Sequence, residues 1–486
     1  MPVTRRNFVK NVSLASAGIG LLQPFGLKAK ENAVGKLRLG FIGVGLRGQS
    51  HLQMCLNRSD VEVSVICDTD KRMLEMSKEL IKKSGKAMPE IVTGSDTAYQ
   101  EMLRPEKIDA VIISTPWEWH KPMIVDSIQA GLKYIATEVV LGITLEDHWE
   151  VVQAAEAKKA QVMMLENACY RRDILAILNM VRQGLFGELI HLQAGYQHDL
   201  RGVKFNDGIT PYNSGVEFGE KGFSEAKWRT NHSVHRNGDL YPTHDVGPMA
   251  MMIDINRGNR FETLSSFTTK SRGLHNYIVK KGGKDHPNAK QLFKLGDIVT
   301  TQIKCANGET IFLQHDTNLP RPYSLGFRVQ GTNGIWMNLN NGIFIEGISK
   351  YDHEKWDDAN PWYDKYEHPL WKRWGKEARR TGHDGIDFFV LHAFIQAARQ
   401  KVATPMDVYD AAAWSAITPL SETSVELGNQ TVEFPDVPAG KYTSVTLILP
   451  FPAIIEYKGS EKLLETICCV IVFYDRCSAG AIWRMP

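Results

Sequence analysis

Short apolar runs and amphipathic stretches alternate along the first third of the chain. The apolar runs have the length and composition of buried strands, and the stretches between them have the period of an amphipathic helix. Strands that alternate with helices are typical of a parallel sheet covered on both faces. The predicted strands are 37–42, 61–67, 108–114, 134–137 and 161–165, and the predicted helices are 71–83 and 145–159. The pattern predicts an α/β domain with a Rossmann-type, doubly wound parallel sheet over residues 31–170.

From residue 173 the pattern changes to a succession of strand-like runs. Runs of strands without helices between them favour an antiparallel sheet. We therefore predict a C-terminal α+β domain over residues 171–442 with a predominantly antiparallel sheet. Its predicted strands are 189–197, 264–270, 298–305, 310–316 and 327–330, and its predicted helices are 174–184, 386–401 and 408–427. The polar and aromatic segment 199–260 has no regular pattern, and a loop of that length in a compact domain is usually functional.

The first predicted strand runs into a glycine-rich turn, G-x-G-x-x-G, from Gly43 to Gly48. Gly43 permits the tight turn, Gly45 lets the backbone approach a pyrophosphate, and Gly48 lets the next helix pack closely on the strand. The N-terminus of that helix attracts phosphate groups. Asp68 ends the second predicted strand and is placed to accept hydrogen bonds from a ribose diol. A glycine turn alone is weak evidence, but strand, turn, helix and acid together predict a site for NAD rather than NADP.

Two tryptophans and a histidine stand directly after the predicted strand 108–114, in the string Trp117-Glu118-Trp119-His120. Ligands of doubly wound sheets lie beyond the carboxyl ends of the strands. These side chains are therefore candidates to flank the nicotinamide of NAD. The alternative is a group of aromatic side chains on a surface loop.

Composition excludes several other classes of function. The chain has 486 residues and a formal net charge of +2, and it lacks a basic stripe with interleaved aromatics, so nucleic-acid binding is not predicted. Its seven cysteines show neither metal-ligand spacing nor a disulfide framework, and no metal site is predicted. Assembly into a homo-oligomer stays open.

The two ends of the chain differ from the domains between them. Residues 1–30 contain Arg5-Arg6 followed by Phe8-Val9-Lys10 and a mildly apolar run, which resembles a twin-arginine export signal. That run is too short and glycine-rich for a membrane-spanning helix, and we expect no stable membrane span. The resemblance predicts export to the periplasm. The apolar tail 443–486 can be assigned no function.

Tyrosine and histidine cluster in and around the segment 199–260. The clusters are Tyr196–Asp199, Tyr241–Asp245 and, farther along, His315-Asp316 with Arg321–Tyr323. Histidine transfers protons near neutral pH, and tyrosine does so when its neighbours tune the phenol. Each residue alone is more often structural than catalytic. Their concentration beside a nucleotide domain, together with arginine, predicts an active site for a hydroxyl-rich sugar.

Several long strings of residues carry a family resemblance. They are Gly43–Gln49, Pro116–His120, Leu165–Asp173, Gly195–Leu200, Gly215–Lys221, Lys227–His232, Tyr241–His244 and Arg321–Tyr323. In these strings the chain resembles the NAD-dependent glycosidases of glycoside hydrolase family 109, a branch of the glucose–fructose oxidoreductase and inositol dehydrogenase superfamily. The resemblance covers roughly residues 36–442.

The resemblance implies an α-N-acetylgalactosaminidase that acts on a carbohydrate with a terminal N-acetylgalactosamine and keeps NAD through turnover. By position, the implied NAD-binding residues are Leu46, Arg47, Asp68, Trp117, Glu118, Trp119, His120, Glu138, Val139 and Asn167. The implied sugar-binding residues are Tyr196, Arg229, Tyr241, Pro242, Thr243, His244 and Tyr323. Tyr241 and His244 are the catalytic candidates for proton transfer, and Tyr323 is the candidate for assisting the leaving group or orienting the sugar. Asp245 departs from the pattern, which has glycine there.

The chemistry that NAD permits differs from that of most glycosidases, which place two carboxylates around an oxocarbenium-like transition state. Oxidation of the sugar at C3 gives a ketone that acidifies the neighbouring C2–H. A base can then remove that proton while the C1 substituent leaves, after which water adds and C3 is reduced again. No second redox substrate is needed.

Two other classes of protein are alternatives to the NAD-dependent glycosidase. Sugar dehydrogenases of the same superfamily carry a Glu-Lys-Pro string whose lysine relays a proton, whereas this chain has Glu138-Val139-Val140. Valine cannot carry a proton, so the substitution argues against an ordinary dehydrogenase. A sugar or nucleotide sensor without catalysis is the third class, and the retained tyrosine and histidine clusters argue against it.

Overall fold

A computed structural model describes residues 35–350 and 352–435 of the protein. These residues belong to the first of two compact units, 1–447, and the second unit, 448–486, lies outside the described residues. The predicted export signal, 1–30, and the predicted tail, 443–486, also lie outside them. The domain limits given above stay predictions.

A six-stranded parallel sheet forms the N-terminal part of the described chain. Its strands are β1 (Leu37–Ile42), β2 (Val61–Cys67), β3 (Glu90–Val92), β4 (Ala110–Ile113), β5 (Tyr134–Thr137) and β6 (Gln161–Met164). The α-helices beside it are α1 (Leu46–Leu56), α2 (Lys71–Ser84), α3 (Trp117–Gln129) and α4 (Leu145–Lys158). All four residues of β4 are fully buried, as expected for a strand covered on both faces. The predicted Rossmann-type sheet is confirmed.

The order of the strands places a ligand crevice at the end of β1. The order is β3-β2-β1-β4-β5-β6, so β1 pairs with β2 on one side and with β4 on the other. The sheet therefore grows in opposite directions from β1. In doubly wound sheets, ligands bind beyond the carboxyl ends of the strands at this reversal. The glycine turn that follows β1 lies at this point.

A second sheet of nine strands has the order β14-β13-β12-β11-β7-β10-β9-β8-β15. The strands are β7 (Leu189–Gln197), β8 (Phe261–Thr268), β9 (Ile298–Cys305), β10 (Thr310–Asp316), β11 (Arg328–Gly331), β12 (Gly334–Met337), β13 (Gly342–Ile345), β14 (Asp357–Asp358) and β15 (Val432–Glu433). Within the described residues, β7 and β10 pair in parallel and the other neighbours are antiparallel. The predicted, predominantly antiparallel sheet is confirmed.

The remaining α-helices belong to the C-terminal part of the described chain. They are α5 (Arg172–Arg182), α6 (Arg201–Lys204), α7 (Arg229–His235), α8 (Thr243–Met252), α9 (Gly273–Gly282), α10 (Asn360–Lys365), α11 (Pro369–Ala378), α12 (Ile386–Gln400) and α13 (Val408–Glu426). The prediction of an irregular segment at 199–260 is wrong, since α6, α7 and α8 lie within it. These helices are short or nearly all buried, so the segment lacks the amphipathic period that marks a surface helix.

The last two long helices return to the first sheet. The backbone N–H of Leu141 donates to the hydroxyl of Ser415 in α13 at 3.0 Å. Arg399 in α12 forms an ion pair with Asp60 at 3.0 Å, just before β2. The C-terminal helices therefore pack on the nucleotide domain, and the first turn of α12 lies beside the glycine turn.

Candidate functional site

A cavity of about 550 Å³ lies beyond the carboxyl ends of the first sheet. It extends from the glycine turn to the tyrosine and histidine clusters of the C-terminal part. The predicted site residues that line it are Gly43, Gly45, Leu46, Arg47, Asp68, Trp117, Trp119, Glu138, Val139, Asn167, Tyr196, Arg229, Tyr241 and His244. The cavity therefore joins most of the predicted NAD residues to most of the predicted sugar residues.

The three glycines of the turn have three different environments. A β-carbon at Gly43 would lie 2.6 Å from the carbonyl oxygen of Ser114, and its φ is +84°. A β-carbon at Gly48 would lie 2.2 Å from the carbonyl oxygen of Gly43, so α1 packs directly on the turn. A β-carbon at Gly45 would have no neighbouring atom within 4 Å. The space at Gly45 and the N-terminus of α1 fit a pyrophosphate, as the sequence predicts.

Asp68 lies at the end of β2 and supports the glycine turn. Its Oδ2 accepts a hydrogen bond from the backbone N–H of Val44 at 2.8 Å, and its Oδ1 accepts one from the N–H of Asp70 at 2.8 Å. Burial raises the pKa of Asp68. The carboxylate lines the cavity at the position expected for a ribose diol, and each oxygen retains a second lone pair for a ligand hydroxyl.

A buried ionic network links the glycine turn to β5 and to α12. Glu138 Oε1 accepts hydrogen bonds from Arg47 Nε at 2.7 Å and lies 2.6 Å from His51 Nε2. Arg47 also donates two hydrogen bonds to the Asp387 carboxylate, at 2.7 and 3.0 Å. Burial alone would raise the pKa of Glu138, but the Arg47 charge and the His51 hydrogen bond hold it well below its usual range. Both carboxylates are therefore anionic.

Asp387 also holds two other groups at the cavity. Its Oδ1 accepts a hydrogen bond from Asn167 Nδ2 at 2.7 Å, and its Oδ2 lies 2.6 Å from His383 Nδ1. His383 lines the cavity, whereas Asp387 is fully buried beneath it. Neither residue is among the site residues predicted from the sequence. No local motif marks them, because Asp387 and Arg47 are 340 positions apart along the chain.

Aromatic rings and one arginine form the sugar end of the cavity. The rings of Trp117 and Tyr241 stack with centroids 5.5 Å apart. The guanidinium of Arg229 lies 4.6 Å from the Tyr241 ring centroid and 5.2 Å from that of Trp117. Arg229 also pairs with Glu225, and this charge helps to keep its pKa above the ordinary value despite burial. Aromatic faces beside charged groups suit the apolar faces and hydroxyls of a sugar.

His244 is oriented by a buried carboxylate. Its Nδ1 lies 2.6 Å from Oε1 of Glu166, which also accepts a hydrogen bond from the backbone N–H of Ala168 at 2.9 Å. A proton on Nδ1 satisfies this contact, and Nε2 is then the ring nitrogen that is free to act as a base. A base held by a third group is the arrangement that proton-transfer sites use. Burial raises the pKa of the neighbouring Tyr241 well above its ordinary value, so its phenol keeps its proton.

Tyr196 contacts a cavity residue that is not among the site residues predicted from the sequence. Its hydroxyl lies 3.2 Å from Nδ1 of His198, which lines the cavity. Burial, aided by the Arg229 charge, lowers the pKa of His198 to about 4. His198 is therefore a neutral hydrogen-bond partner at physiological pH.

Some predicted site residues do not reach the cavity. Gly48 lies beneath the turn, and Pro242 and Thr243 form the start of α8. Tyr323 is half-exposed at the rim, with its ring centroid 4.8 Å from that of His198.

The predicted role of His120 at the nicotinamide is not supported by its position. Both ring nitrogens lie within hydrogen-bond distance of backbone oxygens, those of Val140 and Thr115, and the side chain is fully buried. Glu118 lies 3.6 Å from His232 rather than in the cavity. The surface-loop alternative is also wrong, because the string forms the first turn of α3. Trp117 and Trp119 alone face the cavity from this turn.

Asp245 stands where the family resemblance predicts glycine, and the structure tolerates it. The residue lies in the first turn of α8 and does not have a positive φ, so its backbone does not require glycine. The side chain is buried, and burial next to Asp239 raises its pKa well above the ordinary value. Asp245 is therefore a buried structural residue outside the cavity lining.

Residues 205–228, named here the cover segment, cross the outer side of the cavity. Lys227 forms an ion pair with Asp70 at 3.2 Å, and Arg72 donates to the carbonyl of Ile209 at 3.0 Å. The Arg72 guanidinium also lies 4.0 Å from the ring centroid of Phe223. The C-terminal part thus contacts the first sheet's domain beside the Asp68 end of the cavity.

Two features are absent from residues 35–350 and 352–435. These residues contain no group of three or more histidine, cysteine or acidic side chains arranged to hold a metal ion. Their helices include none that combines the length and apolar character needed to cross a membrane.

The fold and cavity define the class of protein: a dinucleotide-binding Rossmann protein whose C-terminal domain carries a sugar-type active site. A model of the family "Oxidoreductase family, NAD-binding Rossmann fold" matches residues 37–166. A model described as "Glycosyl hydrolase 109, C-terminal domain" matches residues 170–444, more than half of the chain. The chain belongs to glycoside hydrolase family 109. It is a glycoside hydrolase, and its cofactor is NAD.

Similar proteins support this membership. A glycosyl hydrolase family 109 protein of Stenotrophomonas maltophilia is 54% identical over 86% of this chain and 92% of its own length. An α-N-acetylgalactosaminidase of Tannerella forsythia is 49% identical over 91% of this chain and 98% of its own length. A levoglucosan dehydrogenase solved with NADH has a TM-score of 0.60 at 19% identity, covering 83% of this chain and 100% of that one. At that identity the last likeness shows the fold alone.

Proposed function

We propose that the protein hydrolyses terminal α-N-acetylgalactosaminides and keeps its NAD through turnover. The relative from Tannerella forsythia is named for this activity, and it matches nearly the full length of this chain. The observation that carries the proposal is the single cavity that joins the glycine turn to Tyr241 and His244. A cofactor and a sugar bound there would lie in one continuous cavity, as internal oxidation and reduction of the sugar require.

The glycine turn and Asp68 would hold NAD, which when bound would supply a hydride acceptor for C3 of the sugar and the hydride for its later reduction. The protein supplies the proton transfers. His244, held through Nδ1 by Glu166, presents Nε2 as the base that removes a proton from the substrate. Once C3 is a ketone, the C2 proton becomes acidic enough for a base of this kind. Release of the C1 substituent then follows by elimination.

Tyr241 and Arg229 act on developing charge. The phenol of Tyr241 keeps its proton because burial raises its pKa, so it donates a hydrogen bond to a sugar oxygen that becomes negative. The Arg229 guanidinium lies over the same ring and remains charged. Together these groups stabilise the enolate-like oxygen for which related sugar chemistry uses a metal. We assign Tyr323, whose ring centroid lies 4.8 Å from that of His198, to assisting the leaving group or orienting the sugar.

A plain sugar dehydrogenase is the alternative, and Val139 argues against it. Val139 is buried and lines the cavity, so an apolar side chain stands where the dehydrogenase resemblance requires lysine. Lys227 is the one lysine among the described residues that line the cavity, and it pairs with Asp70 at the nucleotide end. No lysine of that lining reaches the sugar end.

The activity is tested with purified protein and no added NAD. We expect release of the aglycone from an aryl N-acetyl-α-galactosaminide, without accumulation of NADH in solution, because the cofactor returns to its oxidised form in each turnover. A matched reaction with the β-anomer serves as the control and should be slower. Accumulation of NADH with free sugars, together with no aglycone release, would contradict the proposal in favour of a dehydrogenase.

We propose further that the protein is exported by the twin-arginine route to the periplasm, on the basis of Arg5-Arg6 and the apolar run after them. Because that route carries folded proteins, NAD can be bound before export. Replacing both arginines with lysine should retain the protein in the cytoplasm. Cell fractionation checks this, and an unchanged periplasmic fraction would reject the proposal.

A further inference from the structure

His383 lies at the nucleotide end of the cavity but comes from the C-terminal part of the chain. It sits in the loop between α11 and α12 and lines the same cavity as Gly45 and Arg47. A β-carbon at the preceding Gly382 would lie 3.7 Å from the hydroxyl of Ser50 in α1. The loop therefore packs against the helix whose N-terminus receives the pyrophosphate.

The contact with Asp387 determines which face of the His383 ring meets the cavity. Asp387 is an ionised acceptor that already holds Arg47, so the His383 Nδ1 at 2.6 Å donates to it. The hydrogen bonds within the described residues use Nδ1 alone, and 63% of the His383 side chain is exposed. Nε2–H is thus left to donate to a ligand in the cavity.

The guanidinium of Arg47 is engaged by two carboxylates. Arg47 is paired with both Glu138 and Asp387, and the nearby His51 binds Glu138. Both carboxylates contact the Arg47 guanidinium, so its charge is already largely compensated before a diphosphate binds. His383 lies beside this pair, and its hydrogen bond to Asp387 raises the pKa of the imidazole, which favours the cationic ring.

The backbone of the loop is strained at the same place. His383 and Asp384 have φ values of 50° and 54°, and Gly385 follows with 97°. Two consecutive non-glycine residues in the left-handed region are unfavourable and persist where surrounding contacts require them. The conformation brings the imidazole to the cavity and turns the chain into α12.

We propose that His383 is a further cofactor-binding residue, which donates a hydrogen bond from Nε2 to the diphosphate of NAD. The C-terminal domain thereby closes the glycine turn from the opposite side, with Asp387 as the positioning residue. This inference rests on NAD binding and not on the identity of the sugar.

The test measures how fast the purified holoprotein exchanges its bound NAD for labelled NAD. The His383→Gly variant removes the imidazole and relieves the strained φ, so the loop can keep its shape. A charge-assisted hydrogen bond corresponds to roughly a 10–100-fold change in affinity, and we expect NAD release to accelerate by about that factor. His353→Ala, at a histidine exposed on the surface, is the control and should leave release unchanged.

Competitors locate the lost contact. Unlabelled ADP-ribose and adenosine are added as competitors to the exchange reactions of the wild-type protein and of His383→Gly. ADP-ribose contains the diphosphate, and adenosine does not. The affinity of the variant for ADP-ribose should fall by the same factor as that for NAD, while its affinity for adenosine stays unchanged. His383→Arg, which restores a cation, should recover slow release. Wild-type release from His383→Gly would overturn the proposal, and so would an equal loss for adenosine, since it would indicate a general change of the fold.

Discussion

Replacing Tyr241 with phenylalanine, or His244 with alanine, is expected to lower kcat by about 10²–10⁴-fold with a much smaller change in KM. The phenylalanine variant keeps the ring that stacks on Trp117 and loses only the hydroxyl. The alanine variant removes the base that Glu166 holds. Both groups act mainly as charge and protons move in the transition state, so ground-state binding is less affected. Steady-state kinetics on the aryl glycoside measure the effect.

Two controls separate catalysis from folding. Tyr277→Phe removes the hydroxyl of another largely buried tyrosine, one in a cluster outside the cavity with Phe205, and should leave kcat near the wild-type value. The NAD content of every variant should equal that of the wild type. Glu166→Gln should impair kcat in the same direction as His244→Ala, and the double variant should be little worse than His244→Ala alone. Full activity of Tyr241→Phe or of His244→Ala would contradict the catalytic role proposed for the substituted residue.

Gly48→Ala is expected to lower the stability of the fold, whereas Gly45→Ala is expected to impair NAD binding. At Gly48 the new methyl would meet the Gly43 carbonyl at 2.2 Å, and backbone must move, so the free energy of unfolding should fall by about 1–3 kcal/mol or more. At Gly45 no atom lies within 4 Å, and φ is −61°, which alanine adopts readily. That variant should fold normally, yet its methyl group occupies the space that the pyrophosphate needs.

Two measurements on each glycine variant test this difference. Denaturant unfolding gives stability, and absorbance of acid-released nucleotide gives the NAD content per chain. We expect Gly45→Ala to have a stability close to that of the NAD-free wild type and to carry little NAD. Full NAD content in Gly45→Ala would show that the pyrophosphate does not approach this turn. Wild-type stability in Gly48→Ala would show that α1 can move away from the turn without cost.

The parts of the site that lie close together in sequence could be predicted from the sequence. The glycine turn needs a positive φ at Gly43 and close helix packing at Gly48. Both positions therefore require glycine, and the spacing of these glycines is visible in the sequence. Asp68 could be placed because the end of β2 lies beside the end of β1 in any sheet of this type. Tyr196 and Tyr241 stand out as members of the tyrosine and histidine clusters, whereas Arg229 depended on the family resemblance.

The parts that tertiary packing creates could not be predicted. Asp387 and His383 reach the glycine turn because α12 packs back on the first sheet, and no local pattern records that contact. The helix α8 was missed because Gly247 and Pro248 lie inside it and normally interrupt helices. Its residues are nearly all buried, so burial rather than propensity stabilises it.

His120 illustrates the opposite error. A histidine at the carboxyl end of a parallel strand is a good candidate for a ligand contact, and the sequence cannot show which way its ring turns. In the structure the ring is buried against the backbone oxygens of Thr115 and Val140. Burial lowers its pKa, so it serves as a neutral structural residue. Of the four residues in that string, the two tryptophans line the cavity.

The central claim is that the glycosidic bond breaks by oxidation at C3 and elimination across C1 and C2. Hydrolysis in D₂O, followed by NMR of the released N-acetylgalactosamine, tests it most directly. A base that removes the C2 proton and exchanges with solvent must leave deuterium at C2, and the account predicts this product. A sugar that keeps its C2 proton in full, while its glycosidic bond is cleaved at the normal rate, would contradict the account and indicate direct displacement at C1.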